Sequence, residues 1–208
     1  MDIRNLGGSG LRVSAVGIGC NNFGQRTDAE TSRKVIHKAI DLGITLFDTA
    51  DIYSGRGGSE TVLGDVLGAR RKDIVLATKF SKAMDDSGEK QGASRRYIMS
   101  AVEASLKRLK TDYIDLYQQH DFDPRTPIEE TLRALDDLVR QGKVRYIGCS
   151  NLASWQVVDA HWTAKLESLF IDVGNSTHAT FSPALAFAPV KFSERFGVVR
   201  AGLNYSFN

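Results

Sequence analysis

The sequence predicts a parallel α/β fold of the barrel kind, opened by an N-terminal β-hairpin, and three observations carry that expectation. Short apolar runs alternate with helical stretches along most of the chain, the rhythm of a parallel sheet. Several of those runs end on one polar residue: ITLFD reaches Asp48, with Tyr53 five residues on, DIVLATK reaches Lys79, and DYIDLYQQH reaches His120. Strands that each deliver a titratable side chain at the carboxyl end are how a parallel barrel builds a site from distant sequence. The open-sheet alternative lacks its fingerprint, because G-x-G-x-x-G is broken by Asn22 after Gly17 and Gly19, and there is no Walker motif.

The elements follow in order. Residues 3–6 and 11–19 are β-like runs joined by Gly7, Gly8, Ser9 and Gly10, a turn that reads as a hairpin leading into the core strand AVGIG. Thr27 and Glu30 have capping-box spacing, Val35, Ile36, Ala39 and Ile40 form an apolar stripe, and Gly43 sits where a helix ends. Strand 44–48 comes next. Ser59 is expected to cap a short helix carrying Val62, Leu63, Val66 and Leu67, ahead of strand 74–79. The glycine-rich stretch 55–58 reads as a loop rather than a phosphate cradle, because it follows the tyrosine segment. Polar residues 82–92 make a long connection, read as a mobile loop in preference to a lid. Ser94 starts a helix with Ile98, Val102, Leu106 and Leu109 on one stripe, and strand 113–119 follows. Thr126, Pro127 and Glu129 open a further helix that Gly142 closes, and strand 144–150 precedes a fifth helix over 155–165 capped by Ser154.

Composition narrows the class of function. Of the 208 residues, 42 % are hydrophobic and 25 % charged, an ordinary globular balance, and 27 basic against 25 acidic residues leave no concentrated basic surface for nucleic acid. No run approaches the roughly 18 apolar residues that span a bilayer, so a cytoplasmic protein with no membrane partner is expected. Cys20 and Cys149 lie far apart without metal-ligand spacing; a reduced thiol pair is expected, and no metal site.

Longer motifs then carry a family resemblance. LFDTADIYSGRGGSETVLG, IVLATKF, AVEASLKRLKTDYIDLYQQH, TPIEETLRALDDLVRQGKVRYIGCSN and WQVVDAHWTAK resemble the first part of an aldo-keto reductase, from residue 1 to about 165. The resemblance implies a (β/α)8 barrel of the TIM-barrel type, NADPH as cofactor and an aldehyde or ketone as the small-molecule substrate. Ser54 departs from the pattern, which has glycine most often at that position.

The chemistry is also legible from the residues. Carbonyl reduction needs a hydride donor at carbon and a proton donor near the oxygen, where negative charge develops. Tyr53 suits the acid, Lys79 is a cation able to stabilise its anion, Asp48 can hold the lysine, and His120 can position the carbonyl oxygen. The resemblance assigns those roles to the same four residues. It further implies that Ser150 and Asn151 hold the nicotinamide carboxamide, and that Gly19, Cys20 and Asn21 border the cofactor.

Beyond about residue 165 the resemblance weakens. FIDVGN (170–175) stands where a sixth strand is due, with Gly174 and Thr177 in place of the usual glutamine and aromatic, and residues 199–207 alternate like a lone amphipathic strand. The expectation is an incomplete barrel of about five to six β/α units over 1–165 and a divergent tail over 166–208. A truncated barrel exposes a strand edge, so self-association or a completing partner chain is expected. The alternative to a reductase is a non-catalytic binding or regulatory subunit, or a truncated or chimeric product without function.

Overall fold

The computed structural model describes residues 1–161. The readings made for 162–208, including the sixth strand and the alternating segment, lie outside the described residues. Strands β1 (Ile3–Asn5) and β2 (Arg12–Ser14) form the expected antiparallel hairpin. It is stitched beneath the main sheet by a reciprocal exchange: the Ser14 amide donates to Thr45 Oγ1 and the Thr45 amide to Ser14 Oγ, both at 2.9 Å.

The main sheet has five parallel strands in chain order, β3 (Gly17–Gly19), β4 (Leu46–Asp48), β5 (Val75–Phe80), β6 (Ile114–Gln119) and β7 (Val144–Cys149). Sequential strands that pair with their neighbours, each joined by a helical crossover, make one arc of a (β/α) barrel. Helices α1 (Ala29–Asp41), α2 (Tyr53–Leu67), α3 (Arg95–Leu109) and α4 (Ile128–Arg140) are the crossovers, with a 3₁₀ turn over Gly68–Asp73. A further helix occupies residues 154–161. The core lies between sheet and helices, where Phe47, Leu76, Phe80, Ile98, Leu63 and Ile114 are fully buried.

Side-chain alternation along β-strands assigns the faces. Register pairs Gly19 with Asp48, Asp48 with Ala77, Lys79 with Gln118, and Gln118 with Gly148. Stepping two residues along a strand keeps the face, so Gly19, Asp48, Lys79, Gln118, His120 and Ser150 all belong to one face. The opposite face carries Ile18, Phe47, Leu76, Thr78, Tyr117 and Ile147 toward the helices.

Several helix ends differ from expectation, and each has a local cause. The cap of α1 is Asp28, whose carboxylate accepts from the Thr31 amide at 2.8 Å; an ionised acceptor beside the helix N-terminus displaces Thr27 from the role. In the stripe of α1, Ile36 and Ala39 are buried while Val35 is 41 % exposed. Ser59 caps nothing, because its buried hydroxyl is drawn to the Cys20 carbonyl (2.7 Å) and Thr49 Oγ1 (2.8 Å). Thr126 donates instead to Asp123 at 2.9 Å, which leaves Pro127 at the start of α4 without a side-chain cap. The last helix begins at residue 154 itself, and Gln156 Oε1 rather than Ser154 accepts from the Ala153 amide at 2.7 Å. Ser94 does cap α3, and Gly43 and Gly142 close α1 and α4 with φ of 79° and 74°.

A buried ion pair explains the glycine-rich start of α2. Glu60 is inaccessible; its Oε2 accepts from Arg108 Nε at 2.7 Å and its Oε1 from Thr78 Oγ1 at 2.5 Å, which ties α2 to α3 and to β5. Arg108 reaches Glu60 across Gly57, where a Cβ would come within 2.5 Å of Arg108 Cδ. Residues 54–57 also run through left-handed backbone, φ 56° at Ser54 through 114° at Gly57. Ser54 therefore stands in a conformation that favours glycine, held by a 3.2 Å hydrogen bond from its hydroxyl to the Asn21 carbonyl.

Gly64 marks the close approach of α2 to α3, since an added Cβ would overlap Arg108 O and lie 2.8 Å from the Leu109 carbonyl carbon. Backbone on both sides cannot yield cheaply. Gly64→Ala is expected to destabilise the fold by about 1–3 kcal/mol, read as a lower urea midpoint; an unchanged midpoint would show that the two helices are free to separate.

Candidate active site

The shared face converges at the carboxyl ends of β4, β5 and β6. Lys79 is 5 % exposed, and its ammonium donates to Asp48 Oδ2 at 2.6 Å and to the Thr49 carbonyl at 2.8 Å. Two acceptors fix the lysine where burial would otherwise disfavour its charge. Asp48 is itself steadied on its other oxygen, Oδ1, by Gln118 Nε2 at 3.2 Å. The Lys79 ammonium then lies 5.2 Å from the centroid of the Tyr53 ring, within cation–π range. His120 completes the group, edge-on to Tyr53 with centroids 5.6 Å apart at 85°.

His120 is held by its backbone and stripped of charge by its surroundings. Its amide donates to the Phe80 carbonyl at 2.8 Å, and its own carbonyl accepts from Asn151 Nδ2 at 2.9 Å. The ring is buried, with Nδ1 unpartnered. Burial first, then the charges of Lys79 and Lys82, push its pKa down to about 4. At neutral pH His120 is an uncharged imidazole.

The sequence-predicted cofactor residues fall at the two edges of the sheet. Gly19 ends β3 with Cys20 and Asn21 after it, and Ser150 and Asn151 follow β7, so they flank the four central side chains. A Cβ on Gly19 would meet nothing within 4 Å, so the strand end faces open space there. Cys20 is turned away into the helix-side core, its thiol bonded to the Ile18 carbonyl at 3.5 Å. Burial, reinforced by the charge of Asp48, pushes that thiol's pKa up, and both cysteines are free thiols. Asn151 adopts φ 56° and its amide also donates to Asp121 Oδ1 at 3.0 Å.

Gln118 escaped the sequence reading. Its position two residues before His120 was the available signal, since alternation puts both on one face. Ser81, Lys82, Asp121, Phe122 and Arg125 with Ile52 border a hollow of about 460 Å³, and of these Ile52 and Asp121 are the sequence neighbours of Tyr53 and His120. The loop 82–92 that walls it is pinned by hydrogen bonds from Gly92 N to Ser81 O (2.9 Å) and Met84 N to Lys90 O (2.9 Å), and by an Arg56–Asp86 ion pair at 2.5 Å. Among the described residues there is no cluster of three or more His, Cys, Asp or Glu side chains able to hold a metal.

A lysine–aspartate pair under a tyrosine, with a neutral histidine against its ring, thus gathers at the strand ends of a parallel α/β sheet. Comparison with known proteins gives the family: the Aldo/keto reductase family matches residues 15–179, and the chain belongs to it. It is 43 % identical over 175 residues to the uncharacterized oxidoreductase YrpG of Bacillus subtilis, covering 79 % of this chain and 54 % of that protein. It is 40 % identical over 182 residues to versiconal hemiacetal acetate reductase of Aspergillus parasiticus, covering 75 % and 52 %. Aldo-keto reductase dtxS3 of Metarhizium robertsii is 38 % identical over 208 aligned positions, covering 84 % and 56 %. The chain thus spans about half the length of the curated relatives it matches.

The lowered pKa of His120 has a thermodynamic consequence. The unfolded chain takes up this proton near 6.5 and the folded chain only near 4, so protons favour unfolding between those values. His120's contribution to stability is present above about pH 6.5 and is lost as pH falls toward about 4. His120→Asn, which cannot charge, is expected to remove that part of the acid destabilisation in thermal melts at stepped pH; an unaltered acid limb would mean that His120 titrates normally.

Proposed function

We propose that this chain carries the proton-donating half of an NADPH-dependent carbonyl reductase, converting aldehydes or ketones to alcohols. The observation that carries the reading is Lys79, bonded to Asp48 and lying under the Tyr53 ring. The name of one relative, versiconal hemiacetal acetate reductase, supports reduction as the direction of the chemistry.

The residues divide the work by their chemistry. Tyr53 gives its phenolic proton to the carbonyl oxygen as negative charge builds there. Lys79 stabilises the phenolate that remains, and Asp48 keeps the ammonium aimed by holding one of its protons. His120 has no imidazolium proton to give near neutral pH, which leaves the acid role to Tyr53; its neutral ring offers one N–H to orient the carbonyl oxygen. Asn151, hydrogen-bonded to the His120 carbonyl, links the second sheet edge to that orientation. NADPH, when bound, supplies the hydride to the carbonyl carbon.

The fit of NADPH to the strand ends rests on the open space at Gly19 and on the polar side chains of Asn21, Ser150 and Asn151 flanking the tetrad. Ser150 and Asn151 are assigned to the nicotinamide carboxamide, and Gly19, Cys20 and Asn21 to the cofactor's border, with Cys20 acting through its backbone alone. The cytoplasm is the proposed setting, supported by two free thiols. No described helix is long and apolar enough to cross a membrane. Oligomerisation, or completion by a partner chain, is proposed for the sheet edges.

NADPH titration followed by nucleotide fluorescence, with sedimentation on the same samples, tests the cofactor reading. Saturable binding supports it, and the sedimenting species identifies the monomer or oligomer responsible; no binding by any species would overturn it. With a simple aldehyde, Tyr53→Phe is expected to lower turnover by about 10²–10⁴-fold, the range for losing a general acid. Turnover that survives this change intact would remove Tyr53 from the acid role.

A further inference from the structure

Between Asp48 and Tyr53 the chain carries a second aspartate, Asp51, that the mechanism does not use. It is 1 % exposed, and neither carboxyl oxygen has a well-formed hydrogen bond, apart from weak help from the adjoining Ile52 amide. Its backbone fastens the tyrosine segment to the lysine strand: the Asp51 amide donates to the Lys79 carbonyl at 3.1 Å, and the Tyr53 amide donates to Ala50 O at 3.2 Å.

Four of the described elements bring polar groups toward Asp51, and among the described residues none of these is an uncommitted cation. Helix α2 brings Glu60, α3 brings Arg108 and Tyr97, β6 brings Tyr117, and β5 brings Lys79. Arg108 is spent on Glu60 and Ser105, and Lys79 on Asp48 and Thr49. The hydroxyls of Tyr97 and Tyr117 are buried and, like the Asp51 oxygens, unpartnered, and both feel the charge of Asp51. An ionised carboxylate here would be an uncompensated buried charge facing Glu60, whereas a protonated one fits a cluster of neutral hydroxyls.

We propose that Asp51 is a positioning residue for the Tyr53 segment: protonated, it seats the segment against β5, and on ionising it is driven toward water and loosens the segment. Burial first, then the charge of Glu60, push its pKa up to about 8. The device therefore works close to physiological pH. Its bearing on turnover rests on the reductase reading above, but the ionisation of Asp51 does not.

The sign of the effect isolates it from His120. A folded acid that keeps its proton up to about 8, while the unfolded chain has released it near 4, loses stability as pH rises between those values. Above about 6.5 the folded His120 is neutral and the unfolded one sheds only its remaining charge, a smaller change of opposite sign, so the interval from there to about 8 is dominated by Asp51. Across it, the unfolding constant of the wild-type chain is expected to rise by roughly tenfold in all, since Asp51 is itself half ionised by about 8.

The test is a pH series on the full chain with its Asp51→Asn variant, which stays neutral. Carbon-13 NMR of labelled aspartate and tyrosine, with Asp51→Asn and Tyr53→Phe assigning the two signals, should give a carboxyl midpoint near 8 in the wild type. The Tyr53 ring signal should move with that same midpoint and stay still in Asp51→Asn, whose stability should no longer fall from about 6.5 to 8. A carboxyl midpoint near the ordinary value of about 4 would overturn the proposal. So would a Tyr53 signal that ignores the Asp51 transition, the result expected of a merely structural acid. If Asp51→Asn fails to fold, coincidence or separation of the two wild-type midpoints still decides. Absence of turnover at every pH would sink the reductase reading and leave this judgement to the NMR titrations.

Discussion

Everything at the candidate site depends on the parallel register of β3 to β7. Because side chains alternate along each strand, the pairings of Gly19 with Asp48 and of Lys79 with Gln118 dictate which residues can meet. A one-residue slip of β5 would send Lys79 among the helices and put Thr78 or Phe80 on the site face. The apolar residues of the opposite face oppose that slip, since Leu76 and Phe80 would be carried out of the core. Core packing and site geometry are two faces of one constraint.

The polar interior is arranged in two tiers on opposite sides of the sheet. On the site face, the buried cation Lys79 is held by Asp48 and Thr49. On the helix face, Glu60 and Arg108 form the ion pair that binds α2 to α3, and Thr78 ties that pair to β5. Thr78 and Lys79 are adjacent in sequence and point to opposite faces. The tyrosine segment bridges the tiers, with Tyr53 over the lysine and Asp51 turned inward among Glu60, Tyr97 and Tyr117.

Much of this was legible in the sequence because it rests on period and position. The strand runs ending on Asp48, Lys79 and His120 announce a parallel fold, and alternation alone places their ends together. The misread caps are informative. Thr27, Ser59 and Thr126 are sound capping residues by type, but competition from Asp28, from the Cys20 carbonyl and from Asp123 is decided by neighbours that the local sequence does not specify. Motif position puts Cys20 at the cofactor's border, and burial of its side chain in the helix-side core leaves only its backbone for that place. The inward turn of Asp51 gave no sequence signal beyond a carboxylate in an apolar neighbourhood. The glycines at 57 and 64 required knowledge of where Arg108 and the end of α3 would lie.

The most direct test of the central claim, that the strand-end residues act as one unit, is a double-mutant cycle on aldehyde turnover with Asp48→Asn and Lys79→Met. If Asp48 works by holding Lys79, the double variant should be no slower than the slower single variant, because removing the lysine already removes what the aspartate does. Fully multiplicative losses, or no turnover in the unaltered chain, would contradict the account.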